Sequence, residues 1–142
     1  MRGLNPAEVF AVVTDFPSYP RLFKEMKSVT VLSRDGNRQR VEFRLEMVIA
    51  IRYVLDLVCD AAAGTVDWTY VEGAVVTDSR GGWRFTAEGE GTKVDYQAAL
   101  TINAPLPGFV VKKVTNALVS ASLPAMFTSI ENEARARKRA AG

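Results

Sequence analysis

From Val41 to Cys59 every odd-numbered position carries an apolar or aromatic side chain or a thiol: Val41, Phe43, Leu45, Met47, Ile49, Ile51, Tyr53, Leu55, Leu57 and Cys59. Among the even positions, Arg40, Glu42, Arg44, Glu46, Arg52 and Asp56 are charged. A period of two places alternate residues on opposite faces of a strand, so this ribbon has one face for an interior and one for water. It is longer than a typical strand, which predicts two strands joined by a turn near Ala50. A chain built around such a ribbon has to bury one face of an antiparallel sheet.

The flanking segments fit that demand. Asn5-Pro6-Ala7-Glu8 is a helix start, with Asn5 as N-cap, Pro6 at the first helical position and Glu8 placed to close a capping box. Val9, Val13 and Phe16 follow on one stripe, and Pro17 ends the helix. Ser18 to Phe23 reads as another helical turn, with Tyr19, Leu22 and Phe23 inward. Val29 and Val31 open the sheet, and Arg34-Asp35-Gly36-Asn37 is a hairpin turn. Further on, Val66, Trp68 and Tyr70 alternate with polar residues, as do Trp83, Phe85 and Ala87, and then Val94, Tyr96, Ala98, Leu100 and Ile102. Gly81-Gly82 predicts a bulge or tight bend. From Phe109 the period becomes helical, through Val111, Val114, Leu118, Leu123, Phe127, Ile130 and Ala134, with a kink or break expected near Pro124, around Ser120 to Ser122. The expected fold is α+β: a curved antiparallel sheet of six to seven strands wrapped on a long C-terminal helix, with two short helices near the N-terminus.

Composition narrows the chemistry. The chain has 142 residues, no histidine, one cysteine and a net charge of +2. That length predicts one domain, residues 1–142, able to bury roughly 68–70% of its unfolded surface. Without histidine and with only Cys59, a transition-metal site, a cofactor ligated by such residues and an intramolecular disulfide are not expected. The commonest acid–base agent near neutral pH is missing as well. The basic cluster Arg135, Arg137, Lys138 and Arg139 is small and local, matching a helix C-terminus better than a nucleic-acid partner. No apolar run reaches the ~18–20 residues of a membrane span, and the N-terminus lacks a signal-peptide core. The expectation is a soluble, cytoplasmic protein.

The inward set is rich in aromatics, and such a stripe either meets and fills the space under the sheet or lines a hollow. Tyr53, Tyr70, Tyr96, Trp68 and Trp83 each carry a polar tip that needs a partner when buried, which a ligand or water in a hollow would provide. As catalysts the tyrosines are poor candidates, because an unperturbed phenol has a pKa of about 10. By parity Arg40, Arg44, Arg52 and Arg84 all face outward, so no inward cation assists them. Cys59 reads as a buried, inert thiol. Gly89-Glu90-Gly91 is a hairpin turn and not a phosphate loop.

Several segments resemble a known superfamily. Asn5-Pro6-Ala7-Glu8-Val9-Phe10 followed by Thr14-Asp15-Phe16-Pro17-Ser18-Tyr19-Pro20 resembles the opening of the START/birch-pollen-allergen (SRPBCC) superfamily, in its polyketide cyclase/dehydrase-like or coenzyme-Q-binding-like branches. Val71-Glu72-Gly73, Gly81-Gly82-Trp83-Arg84-Phe85, Gly91-Thr92-Lys93-Val94-Asp95-Tyr96 and the proline-punctuated last helix extend the likeness over nearly the whole chain. The resemblance implies a helix-grip fold with a deep apolar cavity between sheet and helix. In this chain the strands would line it with Phe43, Leu45, Met47, Tyr53, Leu55, Leu57, Trp68, Tyr70, Trp83, Phe85, Tyr96 and Leu100. The helix would add Val114, Leu118 and Phe127.

The superfamily usually opens with a strand, for which only Met1 to Leu4 remain. A short or truncated first strand would leave a sheet edge open and favour a homodimer through that edge. Three functions stay open at this level. The protein carries a lipid, quinone or polyketide-like molecule; it is a polyketide cyclase/aromatase that acts by shaping its substrate; or it is a protein-interaction module of the ribosome-associated toxin type. The absence of inward charges leans against an enzyme.

Overall fold

The start signal at Asn5 forms as its chemistry dictates. The Asn5 side chain accepts from the Glu8 amide at 2.9 Å, and the Asn5 amide donates back to the Glu8 carboxylate at 2.9 Å. Together they cap α1, Pro6–Val13, whose Val9, Val12 and Val13 are fully buried. A 3-10 turn at Phe16–Ser18 leads into the short α2, Tyr19–Leu22. The computed structural model describes residues 1–46, 49–102, 107–116 and 123–141.

Among the described residues six strands form one antiparallel sheet in sequential order: β1 Met26–Asp35, β2 Arg38–Glu46, β3 Ala50–Asp60, β4 Thr65–Gly73, β5 Val76–Glu88 and β6 Gly91–Ile102. The alternating ribbon of the sequence is β2 and β3, paired from Arg38↔Val58 to Glu46↔Ala50. The β1–β2 turn lies at Gly36, which adopts φ +61° with open space around it. α3, Gly108–Asn116, and α4, Leu123–Ala141, complete the α+β helix-grip fold. The break expected around Ser120 to Ser122 lies outside the described residues. Pro124 sits in the first turn of α4, where its missing N–H costs no helical hydrogen bond.

Parity holds across the sheet. Val41, Phe43, Leu45, Ile51, Leu55 and Leu57 are buried inward. The four arginines face outward and are paired there. Arg40 holds Asp56 through two bonds of 2.8 and 3.0 Å. Arg84 donates to Asp67 at 2.9 Å, while Arg44 and Arg52 share Glu42 at 2.8 and 2.9 Å. Arg52 also reaches Glu72 at 3.1 Å.

The bulge expected at Gly81-Gly82 is not formed. The β5–β6 register runs through Arg80↔Ala99, Gly81↔Ala98, Gly82↔Gln97 and Trp83↔Tyr96 without a shift. Glycine is needed at position 81 for another reason. A Cβ there would come within 2.2 Å of the Gln97 carbonyl oxygen and 2.3 Å of Cζ2 of Trp68. The Trp68 indole therefore lies against bare β5 backbone.

Ahead of α1, Arg2 forms one antiparallel bridge with Gly91, and Met1 and Thr92 exchange backbone bonds of 2.8 and 3.0 Å. α4 packs on α1 and α2, with Ile130 and Ala134 fully buried. This end of the molecule is solid. Leu4, Val9, Val12, Val13 and Phe16 are at most 1% exposed.

Candidate functional site

The other end is hollow. A cavity of about 390 Å³ lies between the concave face of the sheet, the first turns of α4 and the α2 segment. Its sheet wall is made by Phe43 and Leu45 of β2, Tyr53, Leu55 and Leu57 of β3, Val66 and Trp68 of β4, Trp83 of β5 and Tyr96 of β6. The short 3-10 turn and α2 supply Phe16, Tyr19, Leu22 and Phe23, followed by Lys24, Glu25 and Met26. α4 contributes Ala125, Met126 and Ser129. Alternation puts the strand residues here, because residues two apart share a face. The small side chains of Ala125 and Ser129 leave the volume open.

The walls are flat rings. Phe43 and Tyr53, a cross-strand pair, stack at 5.3 Å, and Tyr96 lies 4.6 Å from Trp83 and 5.9 Å from Trp68. Tyr19 meets Phe23 edge-on at 4.9 Å and donates its hydroxyl hydrogen bond to the Val13 carbonyl, which fixes α2 over the cavity. The α2 segment is also pinned to α4 by charge. Arg21 binds Glu133 through two bonds of 3.0 and 2.8 Å, and Arg137 bridges Glu133 and Asp15 at 2.9 and 2.7 Å. Hydrogen bonds from Arg21 and Arg137 hold the Glu133 carboxyl down at about 2.

The interior is electrically neutral. Burial pushes the Tyr19 and Tyr53 hydroxyls far above the ordinary phenol range and the Tyr96 hydroxyl up to about 12. None of the three supplies a phenolate near neutral pH. Burial likewise raises the Cys59 thiol to about 11. Lys24 and Glu25 are the charged side chains among the described lining residues, and both follow α2 where the chain enters β1. Among the described residues no group of three or more His, Cys, Asp or Glu side chains converges to hold a metal ion. This arrangement can enclose, orient and desolvate an apolar molecule. Among the described residues no histidine or carboxylate pair is positioned in it for proton transfer.

The sequence-expected lining residues divide into three groups. Phe43, Leu45, Tyr53, Leu55, Leu57, Trp68, Trp83 and Tyr96 lie on the cavity wall. Four lie elsewhere. The Tyr70 hydroxyl donates to the Gly73 and Val76 carbonyls at 3.2 and 2.8 Å, and so is consumed by the β4–β5 turn. Phe85 sits under α1, edge-on to Phe10 at 6.1 Å. Leu100 borders a separate small space of about 60 Å³, and Phe127 packs behind the wall at 5.8 Å from Trp83. Met47, Leu118 and the side chain of Val114 lie outside the described residues. Sequence reasoning placed Tyr19, Leu22 and Phe23 inward without assigning them to the cavity. Val66 it placed on the alternating strand face with Trp68 but not in the cavity, and it gave Met26, Ala125, Met126 and Ser129 no inward role.

The family model for "Polyketide cyclase / dehydrase and lipid transport" matches residues 3–127. The chain belongs to this family. No curated protein matches the sequence significantly. Among solved structures, an aromatase/cyclase from a Streptomyces species superposes with a TM-score of 0.87 at 19% identity, covering 99% of this chain and 93% of that one. A protein of Thermus thermophilus gives a TM-score of 0.83 at 23% identity, covering 96% and 93%. A START superfamily protein from Mycobacterium smegmatis gives 0.74 at 17% identity, covering 94% and 92%. At these identities the likeness concerns the fold, which is that of the START/Bet v 1 superfamily. Among the described residues no helix of this family member is long and apolar enough to cross a membrane.

Proposed function

We propose that the protein binds and carries a hydrophobic small molecule, a lipid, quinone or polyketide-like compound, in the cavity between the sheet and α4. The observation that carries this reading is the cavity of about 390 Å³ walled by aromatic rings, within the size range of small-molecule sites. The family's description, which joins lipid transport to polyketide cyclisation, supports the same ligand class. Carriage is preferred to catalysis because the interior tyrosines hold their protons and, among the described residues, no charged side chain of a strand lines the cavity. The interaction-module reading loses support, since Arg40, Arg44, Arg52 and Arg84 are each paired with a carboxylate. A cytoplasmic location is part of the proposal, and the buried, unpaired thiol of Cys59 fits it.

Native mass spectrometry of protein purified from cells tests the reading directly. An apolar adduct that denaturation releases is expected. Trp68 and Trp83 in the wall give a second readout, because a ligand in the cavity perturbs their fluorescence. Absence of an adduct, together with no fluorescence response to fatty acids, quinones or polycyclic aromatics, would overturn the proposal. Turnover of a reactive polyketide above the buffer rate would replace carriage by catalysis.

A further inference from the structure

We propose that the small space beside the main cavity is a subsite for a neutral hydrogen-bond acceptor, such as a ketone, quinone or ester oxygen, at one end of the bound ligand. This rests on the carriage reading and narrows its ligand class. The annex has a volume of about 60 Å³ and shares Tyr53, Leu55, Trp68 and Tyr96 with the main cavity as a common wall. Its own polar side chain is Ser79, which is only 8% exposed. Ser79 Oγ accepts from the Trp68 indole N–H at 3.2 Å, and its own proton has no acceptor among the described residues. The indole holds this place because Gly81 lets it lie on the strand backbone.

The tyrosines divide in the same sense. Tyr19 and Tyr70 spend their hydroxyl protons on backbone carbonyls. Tyr53 and Tyr96 line both spaces, and their hydroxyls have no partner among the described residues. The Ser79 proton, unspent among the described residues in a small buried space, calls for an acceptor, since buried polar groups are normally paired. The annex is lined by Val76, Ala98 and Leu100 besides, with no cation to neutralise a carboxylate or phosphate. Its volume suits a carbonyl group. A long-chain acid would instead have to leave its head at the Lys24 end.

The test compares fluorenone with fluorene, two flat ring systems of one shape that differ by a single carbonyl oxygen. Binding to the full chain is measured by calorimetry and by Trp68 and Trp83 fluorescence. Wild type is expected to bind fluorenone about tenfold more tightly, the effect of one hydrogen bond to an otherwise unpaired buried donor. In the Ser79→Ala variant that ratio should fall toward one. The infrared carbonyl band of bound fluorenone should lie below its position in hydrocarbon solvent and return toward it in the variant. Should that variant fail to fold, as judged by circular dichroism, Ser79→Cys, which exchanges the hydroxyl for a weak S–H donor, is expected to lower the ratio in the same direction. Equal binding of both compounds to wild type, or a ratio that survives the variants, overturns the subsite while leaving the cavity standing; the annex then holds only water. Tighter binding of fluorene carboxylate than of fluorenone overturns the neutral-acceptor assignment. Binding of none of the three overturns the subsite, and with no adduct in native mass spectrometry and no response to fatty acids or quinones it overturns the carriage reading as well.

Discussion

Replacing Gly81 by alanine tests whether the cavity wall is built as described. In an unobstructed strand, alanine is favoured over glycine by roughly 0.5–1 kcal/mol, because glycine loses more backbone entropy on folding. At Gly81 the added Cβ would lie 2.2 Å from the Gln97 carbonyl oxygen and 2.3 Å from Cζ2 of Trp68. Carbon contacts are comfortable at about 3.5–4.0 Å, so the indole must retreat by more than about 1 Å. The Gln97 oxygen belongs to the β6 backbone opposite Gly82, and it cannot retreat without opening the ladder. Overpacking of this kind costs typically about 1–3 kcal/mol, and two simultaneous clashes argue for the upper end, about 3 kcal/mol. For a domain of this size 1 kcal/mol moves Tm by roughly 3–4 °C, so a fall of about 10 °C is expected. Thermal unfolding by circular dichroism measures it, and displacement of Trp68 should change the emission of the native state as well. The sign decides the matter. A Tm that is unchanged or raised would mean that the indole does not lie on bare backbone, and the account of this wall would fail.

Two further outcomes follow from the charges and phenols. Glu133→Gln removes the carboxylate that joins Arg21 and Arg137, loosens α2 over the cavity, and should cost about 1 kcal/mol at neutral pH, as partly exposed ion pairs do. Because the folded-state pKa of Glu133 is depressed to about 2, the pair's contribution is complete above the ordinary carboxylate range and is lost as pH falls from about 4.5 toward 2. Over that window wild type should lose Tm faster than the variant, and parallel pH profiles would count against the clamp. In an alkaline absorbance titration, Tyr19 and Tyr53 should remain protonated until the chain unfolds, with Tyr96 ionising near 12. Their raised values mean that stability is present below the free-phenol range and is lost at higher pH. Phenolate signal from these rings in folded protein at pH 10 would contradict their burial.

Alternation was the strongest signal in the chain, and it reported faces well. It sent Phe43, Tyr53, Trp68, Trp83 and Tyr96 inward and the four arginines outward, because which side of a strand a residue takes depends only on its parity. Parity is silent on position along the strand. Tyr70 shares the face of Trp68 but lies beside the β4–β5 turn, whose carbonyls claim its hydroxyl. Phe85 shares the face of Trp83 but falls under α1. The α2 contribution was harder to see, since four residues are too few to show a helical period. Gly81 marked something unusual in β5. Finding a close approach there, where a bulge or tight bend was expected, requires knowing that the Trp68 indole of β4 lies across β5, and only the folded register supplies that.

Solid core and hollow were posed by the sequence as alternatives for one aromatic stripe, yet the molecule contains both, divided along α4. Toward its C-terminus α4 presents Ile130 and Ala134 to the valines of α1, and the space is filled. Toward its N-terminus it presents Ala125, Met126 and Ser129 to the rings of the sheet, and the space stays open. The hollow therefore depends on small side chains at two or three helix positions, and Ser129→Leu should close part of it. The Ser129 hydroxyl has no partner among the described residues, and leucine is the better helix former. Filling a cavity in this way adds about 1 kcal/mol, or roughly 3 °C in Tm, while excluding ligand from the same volume. Higher thermal stability with weaker ligand binding is the expected pair of results. A lower Tm with binding intact would show that Ser129 does not face the space the ligand occupies. If the expected pair is found, the stability forgone at position 129 is what keeps the site open.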